Sequence, residues 1–247
     1  MYEKWNKVYI VGAGPGDPEL LTVKADKIIR EADVIIYANS LITDEIVNLN
    51  KYAKKIESYG LTLEEIVAYI KENFPHKKVV RIHSGDPSIY SSIFEETEKM
   101  KELGIPFEVV PGVSSFLAAS ARIAKEYTLP GVSQTLILTR VEGKTPVPER
   151  EKLVSLAKHK TSMVLFLSVG HIDEVEKDLL TSYPPDTPVV IAYKVSRPDE
   201  KIVKTRLSRL SNTVKREGIE RTALILIGEF LEPPSYVWSY LYNKKDI

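Results

Sequence analysis

Val8-Tyr9-Ile10-Val11-Gly12-Ala13-Gly14-Pro15-Gly16-Asp17 reads as a β-strand that breaks into a glycine-rich turn, and this stretch decides the fold. Val8, Ile10 and Val11 are β-branched and Tyr9 is aromatic, side chains that suit a pleated, half-buried surface. In open α/β sheets the carboxyl ends of the strands face the ligand crevice, so the turn is expected to face a ligand. A dinucleotide fingerprint does not fit. It needs a third glycine where Asp17 stands, and an acid at the end of the second strand, where the chain has Tyr37, Ala38 and Asn39. The Gly-Lys-Ser/Thr ending of a P-loop is also missing.

Outward from this stretch, Val34 to Tyr37, Lys54 to Glu57, Val79 to His83 and Phe107 to Val110 read as further strands, with helical patterns between them. Thr22 is a candidate N-cap for a helix whose Ala25, Ile28, Ile29 and Ala32 share one face. Thr62 and Glu65 have capping-box spacing, and Leu61 with Ile66 can form a hydrophobic staple. A helix over about 91–103 ends at Gly104, with Pro106 beyond. Strand, helix and strand repeated in this way imply parallel pairing.

Pro111-Gly112 ends a strand, and Ser114 to Ile123 is a small-residue helix, so the domain junction is placed here: 1–112 an N-terminal α/β domain, 113–231 a C-terminal one. Thr135 to Thr139, Met163 to Leu167, Val189 to Tyr193, Lys201 to Thr205 and Ala223 to Ile227 read as strands. Helices are expected near 150–157, 173–180 and 210–217. The short polar loop between the Val189 and Lys201 strands predicts an antiparallel pair, hence a mixed second sheet. Residues 232–247 form a tail rich in Tyr236, Trp238, Tyr240 and Tyr242, whose apolar surface points to a homodimer.

Composition narrows the function classes. The 247 residues carry 34 basic and 34 acidic side chains, which leaves no long-range field to attract nucleic acid. No Cys is present, so thiol nucleophiles and thiolate metal sites are excluded, and a reducing, cytoplasmic setting is expected. The polar start, Met1 to Lys7, has no signal-peptide pattern, and the longest apolar runs fall short of the ~20 residues of a membrane helix.

Two more strand exits resemble the first in character. His83-Ser84-Gly85-Asp86-Pro87-Ser88-Ile89-Tyr90 offers a glycine that lets a ligand approach the backbone and a carboxylate that accepts from hydroxyl or amino groups. Pro111-Gly112-Val113-Ser114-Ser115 offers hydroxyls and backbone N–H groups at a helix start. Each alone reads equally as a turn or an N-cap; three together point to a ligand crevice more strongly than any one does. His76, His83, His159 and His171 are scattered, with no HExxH, and there is no Gly-x-Ser-x-Gly elbow, so neither a metal site nor a serine hydrolase is expected.

With these motifs assembled, the chain resembles the tetrapyrrole methylase family from Val8 to about Glu229. The stretch from Val11 to Asp17, Leu21-Thr22-Val23-Lys24, Ala32-Asp33-Val34, Ser84-Gly85-Asp86-Pro87 and Val110-Pro111-Gly112-Val113 carry the likeness. Tyr37 to Leu41, Ile82 to Tyr90, Thr139 to Glu149 and Tyr193-Lys194 are similar to the branch that methylates carbon 11 of precorrin-4, a corrinoid precursor of cobalamin, with or without cobalt in the ring. The resemblance implies two α/β domains with S-adenosylmethionine in a cleft between them, and a homodimer. Carried over by position, it implies cofactor contacts at Pro15, Ser84, Gly85, Asp86, Ile89, Ser114, Ser115, Leu167, Val195, Thr222, Ala223 and Leu224, and substrate contacts at Asp17, Asn39, Arg140, Lys144 and Lys194. Val195 stands where relatives usually have Gly or Ala. Asn39 stands where several have a carboxylate, and an amide cannot serve as a general base.

Methyl transfer from a sulfonium is an in-line displacement, which asks a protein for alignment and exclusion of water rather than for a strong acid or base. Arg140, Lys144 and Lys194, with Arg122 behind them, are candidate partners for the carboxylates of the ring. The sequence leaves open another ring position, a protein or RNA methylase of the same fold, a nicotinamide-dependent oxidoreductase and a non-enzymatic binding module.

Overall fold

The computed structural model describes residues 5–235 and residue 237, and the chain forms two compact units that part between Ala118 and Ala119. The division falls inside the helix that follows Pro111-Gly112, not at the turn itself. Tyr236, Trp238, Tyr240 and Tyr242 of the aromatic tail lie outside the described residues.

The first unit holds β1 (Val8–Gly12), β2 (Val34–Tyr37), β3 (Lys54–Glu57), β4 (Val79–His83) and β5 (Phe107–Val110). They form one sheet in the order β3-β2-β4-β1-β5, every pair parallel. Helices α1 (Val23–Arg30), α2 (Asp44–Val47), α3 (Leu63–Asn73) and α4 (Ile93–Glu102) connect the strands, and α5 (Ser115–Ile123) follows β5. Alternation along the strands separates two cores. Val11, Ile35, Val80 and Ile82 pack with Ala25, Ile28 and Ile29 of α1, whereas Val8, Ile10, Val34 and Ile36 pack with Ile66 and Ile70 of α3 and Met100 of α4. With both faces covered, the inner strands β1 and β2 carry no charged side chain, as a parallel sheet favours, whereas the edge strand β3 buries only Ile56.

Helix ends are set by side chains. Thr22 Oγ1 accepts from Ala25 N at 3.2 Å to start α1, and Thr62 with Glu65 closes the capping box of α3. Buried Asn50 terminates α1: its amide donates to the carbonyls of Ile29, Arg30 and Ala32, and its oxygen accepts from Tyr52 and Ala53. The first two are carbonyls that a helix leaves without intrahelical partners.

The second unit holds β6 (Leu136–Thr139), β7 (Ser162–Leu165), β8 (Pro188–Tyr193), β9 (Lys201–Arg206) and β10 (Ala223–Ile227), with α6 (Leu153–Ala157), α7 (Ile172–Leu180) and α8 (Leu210–Arg216). Its sheet order is β6-β7-β10-β8-β9, with β6·β7 parallel and the other pairs antiparallel, so the sheet is mixed. Met163, Leu165, Ile191 and Ile225 from the sheet pack against Val175, Leu179, Leu210 and Val214.

Two of the boundaries that differ from the sequence reading follow from left-handed backbone. β7 stops at Leu165: Phe166 N makes a last bond to Thr139 O at 2.8 Å, and Leu167 turns into the left-handed region. α4 begins at Ile93 because Tyr90 and Ser92 are also left-handed. Among the described residues no helix is long and apolar enough to cross a membrane.

Candidate functional site

In the first unit β4, β1 and β5 are neighbours, so their carboxyl ends bring the three small-residue turns together. Ala13 N donates to His83 O at 2.8 Å, and Gly14 and Gly85 exchange N–H···O bonds of 3.1 and 2.7 Å, so the first two turns pair beyond the sheet. The third sits against them. A Cβ on Gly112 would fall 2.2 Å from Gly85 O, and one on Gly12 would fall 2.6 Å from Gly112 N. Only glycine lets these backbones meet at Gly12 and Gly112. Gly85 has φ +65, with Ser114 Cα 3.6 Å from where a Cβ would stand.

Asp86 joins the same turns. Its Oδ1 accepts from the Ser88 backbone at 2.8 Å and from the Ser88 hydroxyl, and its Oδ2 accepts from Gly112 N at 2.8 Å. Burial alone would raise this carboxyl, but the donors from Ser88 and Gly112 outweigh it and hold the group below the usual aspartate range. Asp86 is therefore an anion with capacity remaining on Oδ2. Pro15, Gly85 and Ser114 are buried; Ser84, Ile89 and Ser115 are half-buried around them. Asp17 Oδ1 caps the short 3₁₀ turn Pro18–Leu20 by accepting from Glu19 N at 2.8 Å, which explains the acid where a dinucleotide loop has glycine. Asn39 is exposed beyond the end of β2.

Beneath the β4 exit lies a charge cluster that the sequence reading missed. Arg81 Nε donates to Glu96 Oε1 at 3.0 Å, Arg81 Nη1 donates to Ser58 Oγ at 2.9 Å, and His83 Nε2 stands 3.2 Å from Glu96 Oε2. All four residues are buried. Burial would raise the Glu96 carboxyl, but His83 and Arg81 together hold it below the usual range. A signal was present: Arg81 and His83 share a face of a strand covered on both sides, where ionisable groups need a buried partner. His83 ends β4, as the sequence reading has it, and is buried.

In the second unit the other candidates gather at one end of the sheet, where β6, β7 and β8 end and β10 begins. Leu167, Lys194, Ser196 and Thr222 all have left-handed backbones there, with φ of 52, 45, 66 and 56. Together with Tyr90 and Ser92 they make six of the eight non-glycine residues of positive φ among the described residues, so strain concentrates on the candidate loops. For β-branched Thr222 this is a genuine outlier, and such strain costs about 1–3 kcal/mol per residue, which marks ligand clamps. Lys194 N donates to Thr222 O at 2.9 Å, tying the β8 exit to the β10 entry. Leu167 is 70% exposed, while Val195, Ala223 and Leu224 are buried.

The candidate cations differ in how they are held. Arg140 donates to the carbonyls of Val141, Thr145 and Pro146, so its guanidinium shapes the 141–146 loop and keeps only part of its fork for a ligand. Asp199 pairs with Lys194 and raises its ammonium pKa. Lys144 is exposed, and Arg122 pairs with Glu200, which also accepts from Ser196 N at 2.7 Å. A cavity of about 540 Å³ lined by Gly170, Asp173, Lys215 and Gly218 contains none of the candidate residues. Among the described residues no group of three or more His, Cys, Asp or Glu could hold a metal ion.

Comparison with known proteins places this geometry. The family model of the Tetrapyrrole (Corrin/Porphyrin) Methylases matches residues 7–211. The chain is 52% identical over 241 residues to the cobalt-precorrin-4 C(11)-methyltransferase of Methanocaldococcus jannaschii, covering 96% of this chain and 93% of that one. It is similar in structure to a crystallographic cobalt precorrin-4 methyltransferase, a cobalamin biosynthetic enzyme, with TM-score 0.89 and 45% identity over 92% of this chain and 96% of that one. It also resembles uroporphyrin-III C-methyltransferase of Thermus thermophilus complexed with S-adenosylhomocysteine, with TM-score 0.77 and 30% identity over 92% and 93% of the two chains.

Proposed function

The chain belongs to the tetrapyrrole (corrin/porphyrin) methylases, and we propose that it transfers the methyl group of S-adenosylmethionine to carbon 11 of precorrin-4 or its cobalt complex, in cobalamin biosynthesis. The observation that carries this reading is identity with the Methanocaldococcus jannaschii enzyme spread over nearly the whole of both chains.

The residues at the three turns fit the cofactor. Gly12, Gly85 and Gly112 keep side chains away from the place where three strand exits meet, the anionic Asp86 suits ammonium and hydroxyl groups, and the hydroxyls of Ser114 and Ser115 stand at the start of α5. We assign Pro15, Ser84, Gly85, Asp86, Ile89, Ser114 and Ser115 to it, and from the second unit Leu167, Val195, Thr222, Ala223 and Leu224. When bound, S-adenosylmethionine supplies an electrophilic methyl on a sulfonium. The chain's part is to hold and to exclude: fixed backbones at Gly85 and Thr222 set position, and apolar side chains keep water away.

Substrate assignments follow charge. Arg140, Lys144 and Lys194 offer cations to the carboxylate arms of the ring, with Asp17 and Asn39 as polar contacts from the first unit. Asn39 cannot accept a proton as a base, so its role is orientation. The reading also takes a homodimer and a cytoplasmic setting from the family, the latter supported by the absence of cysteine.

Formation of S-adenosylhomocysteine on mixing protein, S-adenosylmethionine and cobalt-precorrin-4 tests the reading. Turnover with this corrinoid is the expected result. Turnover with uroporphyrinogen III alone would move the chain to another branch of the family.

A further inference from the structure

The segment from Ser84 to Ser92 holds four of the candidate cofactor residues, and both of its ends are gripped from inside the first unit. At its start, His83 pairs with Gly12 in the sheet register and its carbonyl accepts from Ala13 N at 2.8 Å. At its end, the left-handed backbones of Tyr90 and Ser92 set the start of α4, and Ser92 makes no side-chain cap bond there. Glu96, in the first turn of α4, lies 3.2 Å from the His83 ring, thirteen positions away in sequence. This contact closes the base of the segment.

Its composition argues for a task other than stability. A buried ion pair is on average no more stabilising than apolar side chains of the same volume, because desolvation offsets the attraction. Val79, on the same face of β4, shows what the core accepts there. Yet the chain places Arg81, His83 and Glu96 at the end of that face nearest the turns, and adds Ser58, whose backbone N–H donates to Tyr37 O at 2.7 Å. The cluster thus reaches β4, α4, the β3 exit and the β2 exit.

We propose that His83 and Glu96 are positioning residues, a buried clip that holds the Ser84–Ser92 segment in its cofactor-binding conformation before the cofactor arrives. Closing a segment at its base removes conformations that binding would otherwise have to remove, so the clip shows itself as affinity. The inference rests on assigning this segment to S-adenosylmethionine.

The test compares His83→Leu, which fills the space without a donor, with His83→Gln, whose amide N–H can still reach Glu96. S-adenosylhomocysteine is titrated by calorimetry, circular dichroism reports the fold, and amide hydrogen exchange is followed without ligand. His83→Leu is expected to bind about tenfold more weakly, and His83→Gln within about threefold of wild type. Exchange at Ala13 and Gly85 should quicken in His83→Leu only, with Ile225 and Leu226 of the second unit unchanged. Wild-type affinity and exchange in a folded His83→Leu protein would overturn the proposal, as would equal losses in both variants. If His83→Leu does not fold, Glu96→Asp keeps the charge beside Arg81 but withdraws the oxygen from the ring by one methylene. It should weaken binding about threefold and quicken the same amides, and wild-type values there would overturn the clip. A wild-type protein that fails to bind S-adenosylhomocysteine would contradict the functional reading instead, and the ligand-free exchange comparison would still decide the clip.

Discussion

Gly112 N donates to Asp86 Oδ2 at 2.8 Å, so the backbone leaving β5 is fastened to the side chain leaving β4, with β1 between them in the sheet. Asp86 also binds Ser88 through Oδ1, and one carboxylate fixes two turns. Asp86→Ala should therefore weaken S-adenosylhomocysteine binding by at least about tenfold while the protein stays folded. Asp86→Asn, whose single oxygen can serve only one of the two turns, should fall between. Calorimetry on the three proteins checks the order, and an unchanged affinity in Asp86→Ala would remove the carboxylate from the site.

The Asp86 carboxyl has a definite pH behaviour. Burial would raise it, but the Ser88 hydroxyl and the N–H groups of Gly112 and Ser88 bring it below the usual range. A group lowered on folding contributes stability above its unfolded pKa and loses that contribution as pH falls through the folded value. The clamp should thus be intact at neutral pH and release only in acid. A carbon NMR titration of Asp86 is expected to give a midpoint below the ordinary value of about 3.9. A midpoint above it would mean that the donors do not engage the ionised form.

Glycine substitutions should rank by geometry. Gly85→Ala meets Ser114 at ordinary contact distance but keeps a left-handed backbone, for a cost of about 1–2 kcal/mol. Gly112→Ala drives its Cβ to 2.2 Å from a backbone oxygen and should cost at least about 3 kcal/mol. Gly85→Leu should fold and lose at least about 100-fold in S-adenosylhomocysteine affinity. Thermal melts with calorimetry measure all three. Equal melting of the two alanine variants would contradict the close approach of the turns.

Much of this was legible in the sequence because local chemistry agreed with the fold. Thr22, Thr62 and Glu65 cap the helices that their spacing predicts, and the short polar loop after Tyr193 gives the antiparallel β8·β9 pair. Gly12, Gly85 and Gly112 announced three turns, but not that they touch, since that depends on strand order. The Arg81–Glu96–His83 cluster stayed hidden for the same reason: α4 must fold back over β4 before the charges meet. The strain at Leu167, Lys194 and Thr222 has no residue-type signature, because side chains of these kinds rarely adopt such angles.

Side chains assigned to substrate should separate from those assigned to cofactor. Arg140→Ala removes three bonds that order the 141–146 loop and should raise KM for the corrinoid by about tenfold, with S-adenosylhomocysteine affinity unchanged. Asn39→Asp should leave turnover within about tenfold, or ~1.4 kcal/mol, because no base is needed. Steady-state kinetics varying each substrate in turn decides both. A much larger gain in Asn39→Asp would show that a proton acceptor had been missing.

The most direct test is the position of the new methyl group. With carbon-13-methyl S-adenosylmethionine and both metal-free and cobalt-loaded precorrin-4, NMR of the product should show one labelled methyl, bonded to carbon 11. Label at any other ring carbon, or none in the macrocycle with either substrate, would contradict the assignment.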